Sequence, residues 1–205
     1  MIYNYIVKKF KKGEPFFLSE LPAKSKSYLK LEMKRLVDKG LVSRYLKGVY
    51  YLPYKTILGT EGKVLLEDYI KKRYLCNNSD ATGFYSGLRL ANKYGFTTQN
   101  SAIYEFYTNI ATTKQRTLIV DDRKIILYKP YVKITKNNVN ELEFLELMRV
   151  LYKYAEINEK EIKTELNKYI QEKNIDFSKV KKLINYYPSI VYKNFYRSGI
   201  INEME

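Results

Sequence analysis

The chain contains no histidine and no tryptophan, and only one cysteine, Cys76, in 205 residues. Without histidine there is no Ser-His-Asp or Cys-His catalysis, no imidazole metal ligand and no ordinary proton shuttle near neutral pH. A single thiol excludes an intramolecular disulfide and a cysteine-built zinc site, and it suits a reducing compartment. No apolar run approaches the roughly 20 residues that span a bilayer. The opening Met1-Ile-Tyr-Asn-Tyr-Ile-Val, followed by Lys8, is too short and polar for a secretory signal. A cytoplasmic protein without membrane association is expected. There is also no Gly-rich phosphate loop of Walker or Rossmann spacing, and no Asp-x-Asp pair.

What the chain has in excess is positive charge, a formal +15. The surplus is uneven: residues 1–55 carry 13 Lys/Arg against 4 Asp/Glu, residues 56–137 carry 13 against 7, and residues 138–205 balance at 11 each. An AT-rich coding bias toward Lys, Asn, Ile and Tyr accounts for scattered lysines. It does not account for a surplus that stops two-thirds of the way along, whereas a surface for phosphate does.

The surplus is densest between Lys24 and Pro53. Lys24 to Lys39 is amphipathic at helical spacing and stops at Gly40, with Ser25 placed as N-cap. Leu29, Met33, Leu36 and Val37 share the stripe expected to face the core. Ser27, Tyr28, Leu31, Lys34 and Arg35 fall on the other side, with Lys24 and Lys26 near the N-terminal end. Leu41-Val-Ser-Arg44, a turn at Lys47-Gly48 and Val49-Tyr-Tyr-Leu52, closed by Pro53, read as a two-stranded hairpin. A helix able to enter the major groove, followed by a basic ribbon, is the pattern of a winged helix-turn-helix. The competing reading is a packing subdomain whose charged face meets only water.

Before this stretch, Ile2, Ile6 and Phe10 predict a first helix, Phe16-Phe17-Leu18 a short strand, and Ser19 the cap of a brief second helix. After it, helices are expected over 59–75 and 85–93, the latter ended by Gly95 in a left-handed C-cap. Strands are expected over 102–107, 116–120 and 124–129, with a turn at Asp121-Asp122-Arg123. From Val139 onward the pattern is helical. Asn158 with Glu161 opens one helix as a capping box, and 178–187 and 189–195 supply two more. The fold class is therefore α+β in three segments: a winged helix-turn-helix at 1–55, a small α+β domain at 56–137 and a helical C-terminal region at 138–205.

Two segments resemble the AbiEi-type antitoxin family, the winged-helix regulators of bacterial phage-defence (abortive-infection) toxin–antitoxin pairs. Leu36-Val-Asp-Lys-Gly40-Leu-Val-Ser-Arg44 with Lys47-Gly48-Val-Tyr50-Tyr-Leu-Pro53 is similar to that family's winged-helix ending. Tyr85-Ser-Gly-Leu-Arg-Leu-Ala91-Asn92-Lys-Tyr-Gly95-Phe-Thr-Thr98-Gln99 is similar to the segment that opens its second domain. The resemblance covers roughly residues 1–136. It implies binding to inverted repeats in the chain's own promoter, and a nucleotidyltransferase-fold toxin from the adjacent gene as partner. The residues by themselves read more plainly: Gly95 caps a helix, Asn92 and Gln99 satisfy backbone groups, and the two threonines start the next element.

The expected function is that of a DNA-binding antitoxin and transcriptional autorepressor, not an enzyme, with no cofactor or metal. Double-stranded DNA would be held by Lys8, Lys24, Lys26, Lys34, Arg44 and Lys47 on phosphates, with Ser27, Tyr28 and Leu31 facing bases. Two-fold repeats call for a homodimer or two adjacent monomers on DNA. Three alternatives stay open. One is an antitoxin that neutralises its toxin by direct contact. Another is single-stranded RNA stacking on Tyr45, Tyr50, Tyr51 and Tyr54. The third is a metal-dependent nuclease, although its candidate groups read otherwise: Asp121-Asp122 as a turn, and Glu61-Gly62-Lys63 and Glu161-Ile162-Lys163 as solvated helix faces.

Overall fold

Ile2, Ile6 and Phe10 recur every fourth residue, and helix α1 (Ile2–Lys9) forms with all three side chains buried. The structure, a computed structural model, describes residues 2–22, 25–77 and 80–201. The chain divides into two units, Met1–Arg73 and Tyr74–Glu205, and its class is mixed α+β.

In the first unit α1 leads to strand β1 (Phe16–Phe17) and a 3-10 turn at Leu18–Glu20. Ser19 lies inside that turn and does not cap it; the Glu20 carboxylate accepts from the Phe17 amide at 2.7 Å instead. Helix α2 (Lys26–Asp38) begins where expected, with the Ser25 hydroxyl accepting from the Tyr28 amide at 3.4 Å. Gly40, at φ +68°, turns the chain out of the helix, a conformation that costs glycine no side-chain clash. Strands β2 (Ser43–Leu46) and β3 (Val49–Tyr51) follow. Strand β3 pairs antiparallel with both β1 and β2, giving the order β1-β3-β2. Phe10 stacks on Phe16 at 4.7 Å, within a core of Ile6, Leu29, Met33, Leu36, Val42 and Leu52.

The helix expected from Gly59 starts later, as α3 (Leu66–Ile70), and runs on as a π-helical turn at Lys71–Leu75. Residues 56–65 form an irregular loop because Tyr54 holds it: its hydroxyl donates to the Lys63 carbonyl at 3.0 Å, and its ring fills the space a Gly62 side chain would need. A continuous helix there would break the Gly62 amide bond to the Tyr54 carbonyl at 2.8 Å.

The second unit opens with the short pair β4 (Cys76–Asn77) and β5 (Asp80–Ala81). Strand β6 (Gly83–Tyr85) precedes helix α4 (Gly87–Lys93), which starts two residues later than expected because Tyr85 is in register with Phe106. Strands β7 (Tyr104–Thr108), β8 (Gln115–Val120) and β9 (Arg123–Tyr128) complete a sheet of order β6-β7-β9-β8, with β7 and β9 parallel. Asp121 and Asp122, at φ +47° and +57°, form the two-residue turn between β8 and β9, the backbone a tight hairpin requires.

Helices α5 (Val139–Tyr154), α6 (Glu159–Lys173), α7 (Phe177–Leu183) and α8 (Ile190–Ser198) complete the unit, with a 3-10 turn at Ile184–Tyr186. Asn158 and Glu161 form the reciprocal cap of α6, both bonds at 3.0 Å. Asp176 caps α7, accepting from the Ser178 amide at 3.0 Å. Helix α5 packs on β6, α4, α7 and α8, and every residue from Glu141 to Met148 is buried. Phe84, Leu90, Phe96 and Tyr107 lie in the same core as Leu142, Phe144, Leu166 and Phe195, so residues 138–205 and the preceding α+β stretch are one packed body.

Three glutamates on buried α5 are each satisfied from a neighbouring element. Glu146 holds Arg149 through two bonds of 2.7 Å and accepts from the Ser86 hydroxyl. Burial pushes its carboxyl above the ordinary range, against the pull of those bonds, while the Glu146 bonds hold Arg149 firmly charged. Glu143 accepts from the Tyr94 hydroxyl at 2.6 Å and the Tyr169 hydroxyl at 3.3 Å, between Lys93 and Lys173. Glu141 faces Lys179 and the Asp176 amide. Among the described residues, no helix is long and apolar enough to cross a membrane.

Phe144 is fully buried among Tyr169, Phe177 and Phe195. Phe144→Ala is expected to destabilise the second unit by about 3–5 kcal/mol, read as a lowered denaturant midpoint with an unchanged slope.

Candidate nucleic-acid interface

Burying Leu29, Met33 and Leu36 of α2 against the first core leaves the opposite face of that helix outward. Lys26, Ser27, Tyr28, Lys30, Leu31, Lys34 and Arg35 are all exposed there. Tyr28 and Leu31 keep 55% and 50% of their surface in solvent, one helical turn apart on a cationic face. Folding gains nothing from leaving large apolar groups in water, so this pair suits contact with another molecule.

The hairpin stands beside the first half of this helix. A cleft of about 490 Å³ separates them, lined by Lys26, Leu29 and Lys30 of α2, by Leu46 to Val49 of the hairpin, and by Tyr69 and Arg73. Tyr45 of the hairpin packs edge-on against Tyr69 at 5.6 Å, which sets the ribbon's position. Arg73 lies over the Phe17 ring at 5.3 Å. No carboxylate lines the cleft among the described residues. Three acids of this unit are engaged elsewhere: Glu14 and Glu20 hold Lys72 at 3.0 and 3.5 Å, and Glu32 faces Arg35 at 3.5 Å. Lys26, Lys30, Lys47 and Arg73 form no ion pair among the described residues, so their charge is available to a polyanion.

Of the residues picked out from sequence, Lys26 and Lys47 meet in this cleft, and Ser27, Tyr28, Leu31 and Lys34 share the outward face of α2. Arg44 is exposed on β2, its Nε donating to the Leu46 carbonyl at 3.4 Å. Lys8 is exposed on α1, outside the cleft. Lys24 lies outside the described residues. Lys30 and Arg73 were not anticipated. The first was legible one turn beyond Lys26; the second reaches the cleft only because α3 follows the hairpin. Of the four tyrosines considered for base stacking, Tyr51 is buried and Tyr45, Tyr50 and Tyr54 are half-buried.

The Gly95-Phe-Thr-Thr-Gln99 segment belongs to the second unit and clamps a carboxylate. Thr97 and Gln99 donate to Glu156 at 2.5 Å each, and the Thr98 amide donates at 3.1 Å. Gly95, at φ +77°, lies just past the end of α4, and the Asn92 amide donates to the Thr97 carbonyl at 3.1 Å. The threonines thus bind Glu156 and do not begin a strand; β7 starts only at Tyr104. Glu61-Gly62-Lys63 lies in the loop and Glu161-Ile162-Lys163 in the first turn of α6. No three acidic or cysteine side chains converge as a metal-ligand set among the described residues.

No protein-family model, curated protein or solved structure matches the chain.

The Glu156 carboxyl is held below its ordinary 4.5 by the Thr97 hydroxyl, the Gln99 amide and the Thr98 backbone amide. A carboxyl so depressed in the folded state contributes stability above that value and loses it as pH falls through the folded value. The melting temperature should therefore drop on acidification below about pH 5. Glu156→Gln, which does not titrate, should drop less over the same interval; an identical pH profile would refute the clamp.

Proposed function

We propose that the first unit is a winged helix-turn-helix that binds duplex DNA, with α2 in the major groove and the β2–β3 hairpin as its wing. We propose further that the chain is an antitoxin and transcriptional autorepressor of a two-gene toxin–antitoxin operon, recognising inverted repeats in its own promoter. The observation that carries the DNA reading is the cation-lined cleft between α2 and the hairpin, beside exposed Tyr28 and Leu31. Element order supports it as well: helix, strand, helical turn, helix and hairpin, with a sheet ordered β1-β3-β2. Lys26, Lys30, Lys34, Arg44, Lys47 and Arg73 would neutralise phosphates, and Ser27, Tyr28 and Leu31 would meet base edges. The antitoxin role rests on the resemblance of residues 36–53 and 85–99.

One observation favours direct contact with a protein toxin as a second reading. Tyr186, Tyr192 and Tyr196 are exposed at 61%, 42% and 78% beside Ile190 at the C-terminal end. Aromatic groups of this kind are favoured at protein interfaces. Capture of the adjacent gene's product without a DNA footprint would select this reading.

Binding to the promoter fragment should weaken with salt at a log–log slope of about −4 to −5 if about five phosphates are engaged. Lys26→Ala and Lys47→Ala should weaken binding to every sequence and flatten that slope by about 1 each. Tyr28→Ala should also relax sequence preference, by about 1–3 kcal/mol. Mobility shifts that leave all three variants at wild-type affinity would remove α2 and the hairpin from the interface.

A further inference from the structure

Strand β8 is the last strand of the sheet ordered β6-β7-β9-β8, so one of its long edges faces away from β9. From Gln115 to Val120 it stays in unbroken antiparallel register with β9. Native sheets commonly blunt such an edge with a proline, a bulge or a very short strand. Strand β8 has none of these. Gln115, Arg116, Thr117 and Ile119 are exposed and Leu118 is half-buried, so the edge is uncovered among the described residues. Ile119 keeps 66% of its surface in water.

The register fixes which backbone groups point outward. The Lys129 amide donates to the Lys114 carbonyl at 3.2 Å, and the turn at Asp121-Asp122 closes on the pair Val120 and Arg123. Successive residues of an antiparallel strand aim their amide and carbonyl alternately toward and away from the neighbour. Lys114, Arg116, Leu118 and Val120 therefore bond to β9, while Gln115, Thr117 and Ile119 face out. The Gln115 carbonyl already accepts from the Thr113 hydroxyl at 3.2 Å. The outward amides and carbonyls of Thr117 and Ile119 have no partner among the described residues.

We infer that β8 is the two-fold interface of a homodimer, pairing antiparallel with β8 of a second copy about Leu118. Two registers give equal strand overlap with outward groups opposite outward groups. The one centred on Thr117 puts Lys114 opposite Val120 of the second copy and reuses the Gln115 carbonyl that Thr113 holds. The one centred on Leu118 pairs Thr117 with Ile119 through both amides and both carbonyls, about four backbone bonds in all. Leu118 then meets its own counterpart at the closer, non-hydrogen-bonded spacing. Lys114 falls opposite Asp122 of the second copy, at both ends of the pairing. Lys114 and Asp122 are exposed and form no ion pair among the described residues. That charge match selects this register, and it selects a second copy over an unrelated strand. Each β8 has one open edge, so assembly stops at two. An edge of this length buries less than the roughly 1,200 Å² of a tight interface, so the dimer is reversible and concentration-dependent. The interface lies wholly in the second unit and does not rest on the DNA reading.

Sedimentation velocity of the full chain over a range of concentrations, without DNA, tests the inference. A monomer–dimer equilibrium is expected. Ile119→Pro removes only an outward amide, so β8 keeps its bonds to β9 while the dimer is lost. An unchanged melting temperature would show that this variant folds. Lys114→Glu sets like charges against Asp122 twice per dimer and should weaken association about five- to tenfold. Adding Asp122→Asn should recover part of that loss. These exposed substitutions keep the inference testable should the proline variant unfold. In a Cys76→Ser background, Leu118→Cys should form a disulfide between copies on mild oxidation, and Thr117→Cys should not. Cross-linking at Thr117 alone overturns the register and the inference with it. A chain that stays monomeric at every concentration leaves the edge to a strand of another protein and overturns the inference. So does a dimer indifferent to both Ile119→Pro and Lys114→Glu. Because no DNA is present, these outcomes are separate from those of the promoter-binding measurements.

Discussion

The second unit depends on placing three glutamates inside it without leaving any of them alone. Helix α5 is buried on all sides from Glu141 to Met148, and a helix in that position is ordinarily apolar throughout. Glu146 is met by Arg149 and Ser86, Glu143 by two tyrosine hydroxyls and two lysines, and Glu141 by Lys179. The partners come from α4, α6, α7, α5 itself and the residue before α4. Each carboxylate therefore ties α5 to a particular neighbour. An uncompensated buried charge costs several kcal/mol, so alternative packings that break these pairs are disfavoured.

The first unit handles charge the opposite way. Glu14 and Glu20 are used within the fold, on Lys72, while Lys26, Lys30, Lys47 and Arg73 gather around a cleft with no carboxylate among its described lining residues. Like charges placed together repel, and such a surface is most stable when an anion covers it. The proposed duplex ligand would provide that anion along its length. The hairpin's tyrosines contribute by packing: Tyr45 on Tyr69 and Tyr50 toward Phe16 brace the ribbon beside α2.

Much of this was legible along the chain because it is local. Ser25 caps α2, Asn158 and Glu161 cap α6, and Asp121-Asp122 turns the β8–β9 hairpin, each through contacts within a few residues. The outward face of α2 followed from its period. What escaped was set by distant partners. The helix expected from Gly59 yields to a loop because Tyr54 reaches across to Gly62 and Lys63. Thr97 and Thr98 looked like the start of an element and Gln99 like a partner of backbone groups; all three instead surround Glu156, which is nearly 60 residues away. Arg73 enters the cationic cleft only through the path of the chain after the hairpin.

The sequence by itself determined the exclusion of histidine and disulfide chemistry, the concentration of positive charge near the N-terminus, and the helical and strand segments whose signals are short-range. Periodicity and capping need only neighbours within a turn, so they can be read without a fold. Tertiary structure decided how the charges are used. It made the glutamates of α5 internal ties, and joined residues 138–205 to the sheet in one core. Those outcomes depend on which side chains meet across long stretches of chain, and the energy of a charge depends on what lies opposite it.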